Sequence, residues 1–159
     1  MSKILVAYFS ASGVTARLAK TFEEATGGDL YEIKPAEPYT HADLNWNDKH
    51  SRSTAEMKDE AARPAIAAPA ADMARYDTVF VGFPIWWYEA PRIVQTFLES
   101  YDFSGKTVIP FATSGGSGMG KTASILQKSC PGAKVLPGER LSASAPVSEV
   151  SAWVKGLGL

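Results

Sequence analysis

Three unbroken apolar runs restrict the possible folds more than any other feature of the chain. They are Ile4–Phe9 (Ile-Leu-Val-Ala-Tyr-Phe), Thr78–Phe83 (Thr-Val-Phe-Val-Gly-Phe) and Thr107–Ala112 (Thr-Val-Ile-Pro-Phe-Ala). A strand with one wet face alternates apolar and polar residues, whereas a run without alternation needs apolar neighbours on both faces. Such strands belong to a parallel sheet covered by helices on each side. Leu30–Ile33 and Lys134–Leu136 are weaker candidates, suited to sheet edges. Helical patterns fall between the strands, from Thr15 to about Ala25, Pro91 to about Tyr101, about Lys121 to Ser129, and Val147 to about Gly156. Pro91 suits a first helical position, and Ile93, Val94, Phe97 and Leu98 share one face of the helix it opens. Strand and helix alternate about five times, which predicts a right-handed, doubly wound, three-layer α/β sandwich.

With 159 residues the chain is expected to be one domain, 1–159, large enough for a proper core. Its one irregular stretch is an excursion at about 35–76, carrying Pro35, Pro38, Pro64 and Pro69 together with aromatic and charged residues. A short helix is expected inside it, where Ser53-Thr-Ala-Glu56 has capping-box form. So long an excursion in a compact domain usually carries function or moves. The net charge of −1 excludes nucleic acid as a main partner, since phosphate contacts need clustered Lys and Arg. No apolar run approaches the ~20 residues of a membrane span, and a strand begins too early to leave room for a signal peptide. The single cysteine, Cys130, excludes an internal disulfide and suits a reducing compartment. A cytoplasmic location is the resulting expectation.

In open α/β sheets, ligands bind beyond the carboxyl ends of the strands, where successive connections leave toward opposite faces. Three segments reach that rim. Ser10-Ala-Ser-Gly-Val-Thr15 joins the first strand to the first helix. The first-turn N–H groups of that helix lack internal partners and carry the positive end of its dipole. Ser10, Ser12 and Thr15 add hydroxyl donors, and Gly13 permits a positive φ and close approach of an anion. The loop holds no lysine or arginine, so it is suited to gripping a phosphate monoester with neutral donors. The second segment, Gly82-Phe-Pro-Ile-Trp-Trp-Tyr-Glu-Ala-Pro91, is aromatic, and the third, Thr113-Ser-Gly-Gly-Ser-Gly-Met-Gly120, is glycine-rich. A cradle, an aromatic wall and a pliant backbone on one rim point to a flat, conjugated, phosphorylated ligand, and FMN has that shape and chemistry.

These three segments resemble the flavodoxin family, in particular its short-chain members. Ser10–Thr15 is similar to the family's Ser/Thr-x-Ser/Thr-Gly-x-Thr phosphate loop, Gly82–Pro91 to its Gly-x-Pro-x-Trp segment, and Thr113–Gly116 to the loop closing the other side. The resemblance spans nearly the whole chain in matching order. It implies a five-stranded parallel sheet of order 2-1-3-4-5 with FMN at its edge, the topology for which flavodoxin is the standard example. By that resemblance Ser10, Ser12, Gly13, Val14 and Thr15 hold the phosphate. Pro84, Ile85, Trp86 and Trp87 flank the ring, with Thr113, Ser114, Gly115 and Gly116 opposite. Val14 stands where many members have asparagine, and no tyrosine follows Thr113 to stack on the outer ring face, leaving Met119 as a cover.

Other readings of the same residues fit less well. Gly115-Gly-Ser-Gly-Met-Gly-Lys121-Thr122 matches the nucleotide P-loop pattern, but no apolar strand ends in the aspartate that would hold magnesium. A phosphoacceptor domain needs acidic residues at the strand ends, where Ser10 and Pro84 stand. Cys130 precedes Pro131 rather than lying in a phosphate loop, so it is read as structural. His41 and His50 flank Asp43, Asn45 and Asp48, yet their spacing defines no metal geometry, and a solvated lid is preferred. From that lid Asn45, Trp46 and Arg52 are within reach of the ligand's open face. Glu89 and Arg92 read as surface charges. Trp86 and Trp87, taken as extended, would point to opposite sides.

The expected function is electron transfer by an FMN-binding flavoprotein whose partner is another redox protein. The alternative is an NAD(P)H-dependent reductase of quinones or similar small acceptors, with the 35–76 excursion shaping its pocket. Short length favours the carrier, while near-neutral charge favours the enzyme, because carriers steer to basic partners with a strongly acidic field.

Overall fold

The computed structural model describes residues 3–11, 13–68, 72–113 and 119–158. The element order is β1 (Ile4–Tyr8), α1 (Val14–Thr26), β2 (Asp29–Glu32), α2 (Arg52–Lys58), β3 (Thr78–Pro84), α3 (Arg92–Glu99), β4 (Thr107–Thr113), α4 (Thr122–Ser129), β5 (Lys134–Val135), β6 (Glu139–Arg140) and α5 (Val147–Gly156). A 3₁₀ turn, Met73–Arg75, precedes β3. Every ladder is parallel, and the strands lie in the order β2-β1-β3-β4-β5. β6 also pairs with β4. The doubly wound sheet with order 2-1-3-4-5 is therefore present, and two short strands share its fifth position.

That division has a local cause. Val135 faces Val108 and Glu139 faces Phe111, so three residues, Leu136–Gly138, oppose two, Ile109 and Pro110. The extra residue makes a bulge. Gly138 sits there at φ +74°, and a Cβ on it would meet the Pro110 carbonyl oxygen at 2.3 Å, so the bulge tolerates only glycine.

The apolar runs are buried on both faces, as their lack of alternation requires. On one face Leu5, Ala7, Phe9, Val79, Val81, Phe83, Val108 and Ala112 pack with Ile93, Val94, Phe97 and Leu98 of α3 and Leu126 of α4. On the other, Val6, Tyr8, Phe80, Ile109 and Phe111 pack with Leu18, Ala19 and Phe22 of α1 and Val150 of α5. Phe22 stacks on Phe111 with ring centroids 3.9 Å apart. Gly82, the ladder partner of Phe111, leaves room for that ring: a Cβ would fall 2.3 Å from it. Among the described residues no helix is long and apolar enough to cross a membrane.

The helix ends differ from the sequence reading by small, explicable shifts. α1 stops at Gly27, whose left-handed conformation lets its N–H reach the Glu23 carbonyl. Pro91 is the cap of α3 rather than its first residue, with ψ 147°. α2 is capped by Ser51, whose hydroxyl accepts from Thr54 N–H, so it begins earlier than the Ser53–Glu56 box suggests. The excursion is tied at its base, where Pro35 bridges Ile66, Ala36 N–H reaches the Ala65 carbonyl and Ala67 N–H reaches that of Lys34.

Candidate functional site

β1, β3 and β4 end side by side, and the connections after β1 and β3 lead to helices on opposite faces of the sheet. The sheet edge at that divergence collects the described parts of the sequence-derived segments. Gly13 is the N-cap of α1 at φ +90°, and a Cβ placed on it would meet nothing within 4 Å. Its N–H donates to Ser10 Oγ at 3.0 Å, which folds the loop back on itself. Among the described residues no side chain caps α1, which leaves its first-turn N–H groups as donors for an outside acceptor. Val14 is 46% exposed at the helix start. Ser12, Ser114, Gly115 and Gly116 lie outside the described residues.

Thr15 is buried, with its Oγ1 2.8 Å from Oγ1 of Thr113, the last residue of β4. Two hydroxyls 98 positions apart in sequence thus join the α1 loop to the β4 rim. Two hydroxyl protons serve one hydrogen bond, and neither oxygen engages any other group among the described residues. Among the described residues one donor is therefore left without an acceptor. Thr113 also anchors the aromatic loop, since it pairs with Pro84 and its carbonyl accepts from Ile85 N–H at 2.9 Å.

The aromatic loop is not extended. Trp86 and Glu89 exchange both backbone hydrogen bonds, at 2.9 and 3.0 Å, around a two-residue turn. Trp87 and Tyr88 occupy it with φ +50° and +66°, the type I′ geometry that favours Asn and Gly. Opposite orientation of the two tryptophans, inferred for an extended chain, thus rests on a geometry the loop lacks. Trp86 is half-buried, edge-on to Phe9 and Tyr39 at centroid separations of 5.7 and 5.6 Å. Trp87 is 43% exposed and Tyr88 63%, both presented outward by the turn. Gly120 supports the turn from beneath, since a Cβ there would lie 2.9 Å from the Tyr88 carbonyl oxygen. Bulky residues with positive φ carry about 1–3 kcal/mol of strain each. Replacing Tyr88 with glycine should therefore raise stability by about 1 kcal/mol, seen as a higher urea midpoint; an unchanged or lower midpoint would contradict that account.

Tyr39 belongs to a second tier that ties the excursion to this wall. The Arg52 guanidinium lies 3.8 Å above its ring, and the Tyr39 hydroxyl donates to the Glu56 carboxylate. Burial and that carboxylate push the Tyr39 hydroxyl well above the usual phenol range. Arg52 also pairs with Glu56 at 2.9 Å and donates to the Glu37 carbonyl at 2.6 Å, so it is committed to the excursion. Asn45 accepts from Asn47 N–H within its own loop, whereas Trp46 is 70% exposed. His41 and His50 are exposed, and no His/Cys/Asp/Glu group among the described residues is arranged to hold a metal ion.

Arg92 corrects the reading of it as a surface charge. It is only 2% exposed, bonded to the carbonyls of Glu56 and Met57 and to the side chains of Glu89 and Gln95. It ties α3 both to the end of α2 and to the aromatic turn. No pattern in the sequence announces this, because an arginine at a helix start beside a glutamate is usually solvated. Thr122 of the P-loop-like stretch is fully buried and shares its one hydroxyl proton between the carbonyls of Met119 and Tyr88, away from any nucleotide role. Cys130 is buried with its thiol pushed up to about 11 by burial, which suits a structural side chain.

Fold and site together define a doubly wound α/β protein with an uncapped helix N-terminus and an aromatic turn at its switch point. A family model described as flavodoxin matches residues 3–157, and the chain belongs to that family. Among solved structures it is 50% identical to a candidate flavoprotein from Bacteroides eggerthii, covering 100% of this chain and 99% of that one with a TM-score of 0.94. It is 52% identical to another from Bacteroides uniformis, over 97% of this chain and 98% of that one, with a TM-score of 0.91. A flavoprotein from Lactobacillus acidophilus, solved in complex with FMN, is 25% identical over 97% of this chain and 99% of its own, with a TM-score of 0.70. No curated protein matches the sequence.

Proposed function

We propose that this chain binds FMN at the β1/β3 rim and serves as a flavodoxin-type electron carrier for a redox protein. The observation that carries the proposal is the cradle: an α1 with no side-chain cap among the described residues, Gly13 at φ +90°, and open space where its Cβ would be. A phosphate monoester supplies the acceptors this arrangement lacks, and a left-over threonine proton at its wall finds one too. The fit extends to the ring, for which Trp87 and Tyr88 offer exposed π-faces beside Pro84 and Ile85. The Lactobacillus relative, solved with FMN, supports the same assignment.

When bound, FMN supplies one- and two-electron redox chemistry that no side chain provides. The protein's part is placement. Ser10 and Gly13 shape the loop, and the amides of Val14 and Thr15 would hold the phosphate with the helix dipole behind them. Trp86, packed on Phe9 and Tyr39, gives the aromatic turn a rigid base, and Trp87 and Tyr88 would cover the ring against water. A ring packed against these aromatics would lose part of its hydration, which disfavours added negative charge and would lower its potential.

One observation favours a second reading, an NAD(P)H-dependent reductase of small acceptors in a reducing, cytoplasmic setting. The net charge of −1 gives little field to steer a basic protein partner. Anaerobic mixing with NADPH separates the two. A carrier keeps its oxidised flavin spectrum until a separate reductase is added; bleaching by NADPH alone would overturn the carrier role.

A further inference from the structure

The Thr15–Thr113 bridge does not follow from a place for Thr113 beside the ring. The resemblance puts Thr113 beside the flavin ring, yet its side chain turns to the α1 loop and meets Thr15 Oγ1 at 2.8 Å. Both residues are buried, at 1% and 5% exposed, so water does not readily complete their hydrogen bonding. A hydroxyl donates one proton and accepts up to two. If Thr15 donates to Thr113, the Thr113 proton is the one left over, at the end of β4. If Thr113 donates to Thr15, the Thr15 proton is left over, in the first turn of α1 among amides that lack acceptors. An anion in the cradle selects the second arrangement, because it offers an acceptor on the α1 side.

Resting on the FMN reading, we infer that Thr113 is a positioning residue for the phosphate. Its hydroxyl donates to Thr15 Oγ1, and Thr15 donates to a phosphate oxygen. Hydrogen bonds in such a chain polarise one another, and the last is charge-assisted. The same residue accepts Ile85 N–H at its carbonyl. The strand end that fixes the aromatic loop therefore also fixes the orientation of a phosphate donor, which couples the two halves of the site through one side chain.

The test compares FMN and riboflavin, which differ by the phosphate alone, using fluorescence quenching on the full chain. Thr113→Val keeps the shape and removes the hydroxyl; it should weaken FMN about tenfold and leave riboflavin within twofold, and Thr113→Ser should restore FMN. On a Thr15→Val background the Thr113→Val change should add no further loss for FMN, because Thr113 acts only through Thr15. Apo-protein circular dichroism confirms folding, and Thr113→Ala is read in place of the valine variant if that one does not fold. Equal losses for both ligands would make Thr113 a ring contact, and no loss or additive losses would make the bridge purely structural; each overturns the inference. Failure of the wild-type chain to bind FMN is a different result and removes the parent reading as well.

Discussion

Replacing Arg92 with alanine should cost the fold about 3 kcal/mol, the largest loss expected from any single polar side chain described above. Arg92 is 2% exposed, and its guanidinium is the charged donor to the carbonyls of Glu56 and Met57. Each buried acceptor left without a donor costs about 1–3 kcal/mol. The Met57 carbonyl and the Gln95 side-chain oxygen lose their donor here and Glu89 loses its pair at 3.0 Å, whereas the Glu56 carbonyl keeps the Asp59 N–H. The effect should propagate, because Glu56 also holds Tyr39 and Arg52 against the wall that supports Trp86. Arg92→Lys keeps the charge without the planar fork and should fall between wild type and alanine. Urea denaturation measures the series, and an alanine midpoint equal to that of wild type would show that Arg92 is not a tie between α2 and α3.

Replacing Gly13 with valine should abolish tight FMN binding while leaving a folded chain. A β-branched residue at φ +90° carries about 1–3 kcal/mol of strain, which a domain of this size survives. The open volume beside Gly13 is where the proposed phosphate lies, and the new side chain fills it. Loss of about two charge-assisted hydrogen bonds corresponds to at least a hundredfold weaker binding. Riboflavin has nothing at that position and should bind within a few-fold of wild type. A parallel fall for both ligands, with the fold intact by circular dichroism, would move the phosphate away from the α1 loop.

Much of this architecture was legible because burial on two faces writes itself into consecutive residues. Ile4–Phe9, Thr78–Phe83 and Thr107–Ala112 have no polar side to show, and the chain order of their intervening helices follows directly. The positive φ of Gly13 was legible for the same kind of reason, a local requirement met by a single residue type. What escaped notice depends on distant contacts. Arg92 is buried against α2, 35 positions away, and Thr113 turns to Thr15 across 98 positions. The turn at Trp87 and Tyr88 was hidden for the opposite reason: its residues contradict its geometry, and only the reciprocal bonds of Trp86 and Glu89 disclose it. Such a local conflict is characteristic of functional positions. The split of the fifth strand was likewise masked, since Lys134–Leu136 gives no hint that pairing resumes after Gly138.

The most direct check is the affinity of the unmodified protein for FMN against riboflavin, followed by quenching of flavin fluorescence. A neutral cradle of amides and hydroxyls should hold FMN about a thousandfold more tightly, the sum of roughly three charge-assisted bonds. Equal affinities, or no quenching by either flavin, would contradict the account at its base.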